Sequence, residues 1–230
     1  MKMMRKKITM SKGIVLLSGG LDSLVSLGLG INEYNVTLAL TFDYGQKSAE
    51  YEINASKAIC EYYKIEHRVI KLDWLKSITH TALVSGAEIP EGNALDNPEQ
   101  SAKSVWVPNR NGLFLNIAGC FADGEDYDYI LIGANKEEGQ TFPDNSKNFI
   151  DRINAEFEFS TQKHPKVVAP LLNSDKNDIV KLALQYKIPL EYVRSCYAGG
   201  EKHCGKCESC TRLKNALMFN HDTHYIRELF

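Results

Sequence analysis

Ser18-Gly19-Gly20-Leu21-Asp22-Ser23 gathers the groups needed to hold a polyphosphate. Two adjacent glycines let backbone N–H groups approach an anion with no Cβ in the way. Ser18 and Ser23 add hydroxyl donors, and Asp22 is suited to share a Mg²⁺ with phosphate oxygens. The string follows the apolar run Gly13-Ile14-Val15-Leu16-Leu17, read as a buried strand, and leads into a helix from Leu24. A strand, a glycine turn and a helix N-terminus make an anion cradle, because free amides and the helix dipole both favour negative charge. No lysine follows Gly20, which excludes the Gly-x4-Gly-Lys-Ser/Thr kind of phosphate loop. The bland alternative is a glycine turn with no ligand.

A second constellation is Cys196-x7-Cys204-x2-Cys207-x2-Cys210. Four thiolates suit a tetrahedral Zn²⁺, and a full set of sulfur ligands leaves no position for water, so the reading is a structural metal. Cys204-Gly205-Lys206-Cys207 has the spacing of a zinc knuckle, with His203 as the substitute ligand beside it. Cys60 and Cys120 stand alone in helix-like segments and read as small buried hydrophobes. Lys176 falls in the first turn of a helix, where a cation is unfavourable unless a bound polyphosphate reverses the sign. By itself it reads as a solvated surface lysine. Arg110, with Asn111, opens a helix after Pro108; its guanidinium suits phosphate or carboxylate, and a surface salt bridge is the alternative. His221 and His224 read as surface residues.

The elements that must position these groups alternate. Strands are expected at 13–17, 36–42, 67–72, 127–133 and 166–171, and helices at 24–29, 47–64, 111–121, 147–160, 175–187 and 207–220. Tyr51, Ala55, Ala58, Ile59 and Tyr62 are taken as the inner face of the second helix. Ser174 is expected to cap the helix carrying Lys176. This predicts an α/β fold with a doubly wound parallel sheet of about five strands, whose ligands bind at the carboxyl ends of the strands. The chain divides into an α/β domain over 12–190 and a metal-binding tail with a helix over 191–230. Residues 81–104 hold glycines, prolines and asparagines without a period, and read as a lid over the site or a disordered insertion. Residues 134–146 read as a polar loop.

The 230 residues are 43% hydrophobic and 24% charged, an ordinary globular composition. A formal net charge of −2 argues against a broad nucleic-acid surface. No membrane partner is expected, and the basic start over residues 1–10 reads as a frayed terminus. Clustered cysteines together with these features predict a cytoplasmic protein.

The Ser-Gly-Gly-x-Asp-Ser string resembles the pyrophosphate loop of the ATP pyrophosphatases. Together with Thr41-Phe42-Asp43-Tyr44-Gly45-Gln46, Val107-Pro108-Asn109-Arg110-Asn111 and the tail from Ser195-Cys196-Tyr197, it resembles the 7-cyano-7-deazaguanine synthase (QueC) family over about residues 13–219. The resemblance implies an adenine-nucleotide α-hydrolase type of fold. It also implies ATP-dependent adenylation of 7-carboxy-7-deazaguanine, attack by ammonia, and a second activation that dehydrates the amide to the nitrile. It implies ATP contacts from Leu17, Ser18, Gly19, Gly20, Leu21, Asp22, Ser23 and Leu24, and catalytic roles for Asp22, Lys176 and Arg110. Acceptor contacts are expected from Tyr44, Gln46, Arg110, Asn111, Phe142 and Asp144. The expected cofactors are ATP, Mg²⁺ and Zn²⁺, the last on Cys196, Cys204, Cys207 and Cys210, in a homodimer. The chain departs from the family at Asn109 and Thr141, where glycine is usual, and at Ser146, where arginine is usual. By the resemblance, these changes touch the acceptor side of the site. They motivate an alternative acceptor, a protein amine, as in relatives from antiviral systems. A tRNA thiolase and a non-catalytic zinc-bearing adaptor are the readings from other classes.

Overall fold

A computed structural model describes residues 11–84, 86, 88–92 and 103–230. The basic start and half of the expected lid, residues 85, 87 and 93–102, lie outside them. Five parallel strands, β1 (Gly13–Leu16), β2 (Val36–Asp43), β3 (Glu66–Lys71), β4 (Tyr129–Leu131) and β5 (Lys166–Val168), form one sheet in the order β3-β2-β1-β4-β5. Period two divides β1 between two cores. Ile14 and Leu16 face one side, and Val15 points to the other with Leu17 just beyond the strand. Both faces are covered, so the central strands β1 and β2 read as nearly continuous apolar runs, whereas edge strand β3 carries Glu66, His67, Arg68 and Lys71.

Helix α1 (Leu21–Gly30), α2 (Ala49–Tyr63) and a later helix, Lys176–Gln185, cover the Val15 face. The opposite face packs on α4 (Arg110–Glu125) through Leu115, Ala118 and Ala122. It also packs on α6 (Lys147–Ser160) through Ile150, Ile153 and Phe157. Between them, α3 (Asp73–Ile78) follows β3 and α5 (Lys136–Thr141) follows β4. The Lys176–Gln185 helix is α7, followed by α8 (Glu208–Phe219) and α9 (Thr223–Leu229). Leu213, Ala216, Leu217 and Leu229 of the tail join the α1–α7 core.

Several expectations need correction. The inner face of α2 is Ser56, Ile59 and Cys60, whereas Tyr62 is 51% exposed. The shift follows from Ser56, whose buried hydroxyl donates to Leu17 O at 3.2 Å and turns that face toward β1. Cys120 is exposed rather than buried. The stretch 134–146 is a short helix and a 3-10 turn (Pro143–Asn145), started by Asn135, whose side chain accepts from Glu138 N. The cap of α7 is Asp175, not Ser174: Asp175 accepts from Asp178 N at 3.0 Å while Asp178 accepts from Asp175 N at 3.3 Å. Helix α9 adds a short element beyond the expected ones, capped by Asp222, whose side chain accepts from Tyr225 N at 2.8 Å.

Candidate active site

The strand order reverses at β1, whose neighbours β2 and β4 lead away in opposite directions. The loop after β1 lies at the carboxyl end of this crevice. Leu17 anchors it: Leu17 N donates to Leu40 O at 2.9 Å, and Leu17 O accepts from Thr41 Oγ1 at 2.6 Å as well as from Ser56. Gly19 has φ +73°, and a Cβ there would stand 2.9 Å from Ala55. Gly133, beyond β4, lets the start of α1 come close; its Cβ would meet Ser23 N at 2.9 Å.

Ser23 Oγ donates to Gly20 O at 3.0 Å and accepts from Ser18 N at 3.2 Å. Its single proton is therefore committed to the loop, so in the 3.2 Å contact with Ser18 Oγ the Ser18 hydroxyl is the donor, and it is this proton that an anion in the cavity would compete for. Leu24 is fully buried core and does not line the cavity.

Lys176 reaches this loop, contrary to the surface reading. Its Nζ donates to Asp22 Oδ2 at 2.5 Å and to Glu138 Oε1 at 3.0 Å. Burial opposes its charge, but the two carboxylates hold its pKa above the usual lysine value. Burial pushes Asp22 up to about 6, with Lys176 opposing. Glu138 is held low because Lys176 outweighs its burial. Asp22 Oδ1 is buried and has no hydrogen-bond partner among the described residues. An orphaned carboxylate oxygen beside a polyphosphate cradle fits a Mg²⁺ ligand.

A cavity of about 250 Å³ runs from Ser18, Asp22 and Lys176 to Tyr44, Arg110, Asn111, Phe142 and Asp144. Arg110 Nη1 donates to Tyr44 Oη at 3.3 Å. Asn111 Nδ2 donates to Asp144 O at 3.2 Å, fixing the 3-10 turn beside α4. Burial raises Asp144, opposed by Arg110. Phe142 stacks with Trp106, centroids 5.9 Å apart and planes 12° apart, giving the cavity an aromatic wall. Gln46 does not line it. Its amide donates to Phe42 O at 3.0 Å and to Glu52 Oε2 at 2.8 Å, locking the turn after β2. Glu52 does line the cavity, as do Trp106, Glu138, Ser195 and Arg212, none of which sequence reasoning singled out. The one usable signal for Ser195 was its place beside Cys196.

The departures at 141 and 146 do not reach the cavity. Thr141 is exposed, and Ser146 caps α6 by accepting from Phe149 N at 3.2 Å. Asn109 has φ +49°, the left-handed conformation for which asparagine is the usual non-glycine choice. The described ends of the 81–104 segment are tied together by Ala82 N donating to Ser104 O at 2.8 Å. Leu83 and Val105 beside them line the cavity.

The sulfurs of Cys196, Cys204, Cys207 and Cys210 lie within 4.8 Å of one another. Cys204 and Cys210 sulfurs are 3.8 Å apart, about the edge of a tetrahedron with ~2.3 Å Zn–S bonds. Backbone amides of Lys206 and Cys207 donate to Cys204 Sγ at 3.4 and 3.3 Å, as a thiolate requires. The set fits a closed metal site. His203 is outside it: Nε2 accepts from Ser195 N at 3.1 Å, and Nδ1 lies 3.1 Å from Leu229 O. His221 and His224 are exposed, as expected.

Sheet, loop and lysine define an ATP pyrophosphatase-type enzyme. A solved 4-thiouridine synthetase–RNA complex with bound ATP has a similar fold, with a TM-score of 0.50 and 16% identity over 92% of this chain and 53% of that one. Residues 12–221 match the family described as queuosine biosynthesis protein QueC, and the chain belongs to that family. A relative from Methanosarcina mazei, named 7-cyano-7-deazaguanine synthase, is 50% identical over 90% of this chain and 93% of its own length. One of the same name from Carboxydothermus hydrogenoformans is 48% identical over 90% and 98%. Among the described residues, no helix is long and apolar enough to cross a membrane.

Proposed function

We propose that this chain is an ATP-dependent synthase that converts 7-carboxy-7-deazaguanine and ammonia to 7-cyano-7-deazaguanine. The observation that carries the reading is one continuous cavity joining the Ser18–Asp22–Lys176 cradle to Arg110, Phe142 and Asp144, in a chain half identical to synthases of that name.

The substrate carboxylate attacks the α-phosphorus of ATP, giving an acyl-adenylate and pyrophosphate. Ser18, the loop amides and Lys176 offset the charge that grows on the leaving pyrophosphate. Asp22 and its orphaned Oδ1 would hold Mg²⁺, which supplies further charge neutralisation at the phosphates. Ammonia attacks the acyl carbon, AMP leaves and the nitrogen loses a proton, giving the amide. A second ATP adenylates the amide oxygen with release of pyrophosphate and one N–H proton, and loss of AMP together with the other N–H proton leaves the nitrile. Phe142 offers its face to the flat deazaguanine, Asp144 a carboxylate to its amino-pyrimidinone edge, and Arg110 orients the acid. Tyr44 and Asn111 wall the same pocket.

The four-cysteine site is assigned Zn²⁺ on its all-sulfur donor set, with a structural role for the 191–230 tail. Clustered thiols support a reducing, cytoplasmic setting. A homodimer is carried over from the family and is tested by light scattering. Mass spectrometry of products from ATP, the deazaguanine acid and ammonia tests the reading. Nitrile with AMP and pyrophosphate supports it; ADP and phosphate overturn it.

A further inference from the structure

Two separate segments of the metal-bearing tail line the cavity at the phosphate loop, and one of them touches the loop itself. The first is Arg194-Ser195, immediately before Cys196. Arg194 N donates to Gly19 O at 2.7 Å, and Leu21 N donates to Ser195 Oγ at 3.3 Å. Gly20, the N-cap of α1, has no side chain to offer, so the Ser195 hydroxyl stands where a cap would, at the positive end of that helix. Leu21 N engages one lone pair of Ser195 Oγ. The hydroxyl proton is left to donate, and Ser195 lines the cavity.

The second segment is α8. Cys207 is its N-cap and Cys210 lies in its first turn, so the sulfur cluster fixes how the helix is rotated. Arg212, two residues on, lines the same cavity. In the free protein its Nη2 lies 2.6 Å from Glu208 Oε1 and its Nη1 3.5 Å from Glu137 Oε2. Glu137 Oε1 in turn accepts from Lys176 N at 2.9 Å. A guanidinium is thus one carboxylate away from the lysine of the cradle. Lys176 is itself matched by two carboxylates, Asp22 and Glu138. A pyrophosphate carrying several negative charges calls for a second cation here. A planar fork with five donors suits its oxygens better than a point charge does.

We propose that the metal-bearing tail completes the pyrophosphate subsite, the Ser195 hydroxyl and the Arg212 guanidinium binding the β- and γ-phosphate oxygens of ATP and the pyrophosphate that leaves. The proposal rests on the ATP-adenylating reading and deepens it. It makes the cysteine cluster more than a distant staple, because metal occupancy and phosphate affinity become linked and the linkage is reciprocal.

Calorimetric titration of the full chain with pyrophosphate, ATP and AMP, each with Mg²⁺, tests it on Ser195→Ala, Arg212→Ala and Arg212→Lys. Arg212→Ala should weaken pyrophosphate and ATP by about tenfold or more, and Ser195→Ala by several-fold, as for lost charge-assisted hydrogen bonds. AMP, which lacks the β- and γ-phosphates, should bind all variants as it binds the parent. Arg212→Lys keeps the positive charge between Glu137 and Glu208 but not the fork. It should fall between parent and Arg212→Ala, and it serves if the alanine variant does not fold. Unchanged pyrophosphate affinity in both Ser195→Ala and Arg212→Lys overturns the proposal. So does AMP affinity falling in parallel, which would mark general damage. A parent protein that binds pyrophosphate through these residues but never turns over the deazaguanine acid would refute the synthase reading and leave this one standing.

Discussion

Lys176 Nζ meets Asp22 Oδ2 at 2.5 Å, joining residues 154 apart in sequence at the mouth of the phosphate loop. Glu138 completes the arrangement at 3.0 Å. Removing the lysine leaves two carboxylates facing each other with side chains only 19% and 30% exposed. Lys176→Ala is expected to lower adenylation by roughly tenfold or more through lost charge stabilisation. It should also cost stability of about 2 kcal/mol, reduced from the usual buried-pair figure because Asp22 can take up a proton. ATP–pyrophosphate exchange and urea unfolding of the same variant measure the two effects. Wild-type exchange would remove Lys176 from the mechanism.

The same triad predicts a pH dependence. Asp22 is pushed by burial from 3.8 to about 6 in the folded chain. An acid whose folded pKa is raised favours the fold in its protonated form; that contribution is full below pH 4 and is lost as pH rises through 6. Catalysis has the opposite requirement, because only the carboxylate can serve a cation. The acidic limb of kcat/KM for ATP should therefore fall near pH 6. The negative charge of Glu138 contributes to raising Asp22, so Glu138→Gln should move the limb to lower pH. A limb that stays in place in that variant would assign it to another group.

The loop and the sulfur cluster were legible in the sequence because their chemistry is local: contiguous glycines and hydroxyls, and cysteines at short spacing. The sheet was legible because β1 and β2 are almost wholly apolar. Lys176 was not, since its partners come from α1 and α5 and only the fold brings them together. Ser56 misled the reading of α2 because a buried serine satisfied by Leu17 O looks, in sequence, like a solvent-facing one. Polar α5 gave no apolar period, because its role is to carry Glu137 and Glu138 and not to cover the sheet. Thr141 and Ser146 looked like changes to the acceptor pocket until the chain path put one on the surface and the other at a helix cap.

Asn109 offers a test free of catalysis. It sits exposed at φ +49° and ψ +31°, immediately before Arg110. Asn109→Gly should leave stability within about 0.5 kcal/mol, whereas Asn109→Val should cost ~1–2 kcal/mol, the usual penalty for a β-branched residue held left-handed. Urea unfolding of the pair measures it. Equal stability of the two would mean the turn before α4 relaxes, and that the departure from glycine has another basis.

Loss of the metal should act on the tail first. Cys207 is buried and starts α8, whose Leu213, Ala216 and Leu217 pack into the α1–α7 core. Cys207→Ser should lower the Tm by several degrees or more, because metal-binding energy is folding energy. About one zinc per chain is expected in freshly purified, reduced protein, measured by elemental analysis. Its absence there would remove the assignment.

The acceptor pocket makes the last prediction. Asp144 is 8% exposed, and its carboxylate is neutralised by no direct ion pair among the described residues. Asn145 Nδ2 donates to it at 3.2 Å and the backbone amides of Asn111 and Asp144 also bond it, leaving part of its acceptor capacity for an N–H donor of a guanine-like edge. A site built on such bonds rejects a ligand that cannot supply them, because the buried acceptor would go unpaired. Asp144→Ala should therefore raise KM for the deazaguanine acid by about tenfold or more while leaving KM for ATP near that of the parent. Phe142→Leu should weaken the same substrate by a smaller factor, since it removes one stacking face from the Phe142–Trp106 wall. In both variants the nitrile remains the product formed from ammonia. An unchanged KM for the acid in Asp144→Ala would remove this account of base recognition. Adenylated acid with no nitrile at any ammonia concentration in the parent would point instead to a larger amine as the natural nucleophile.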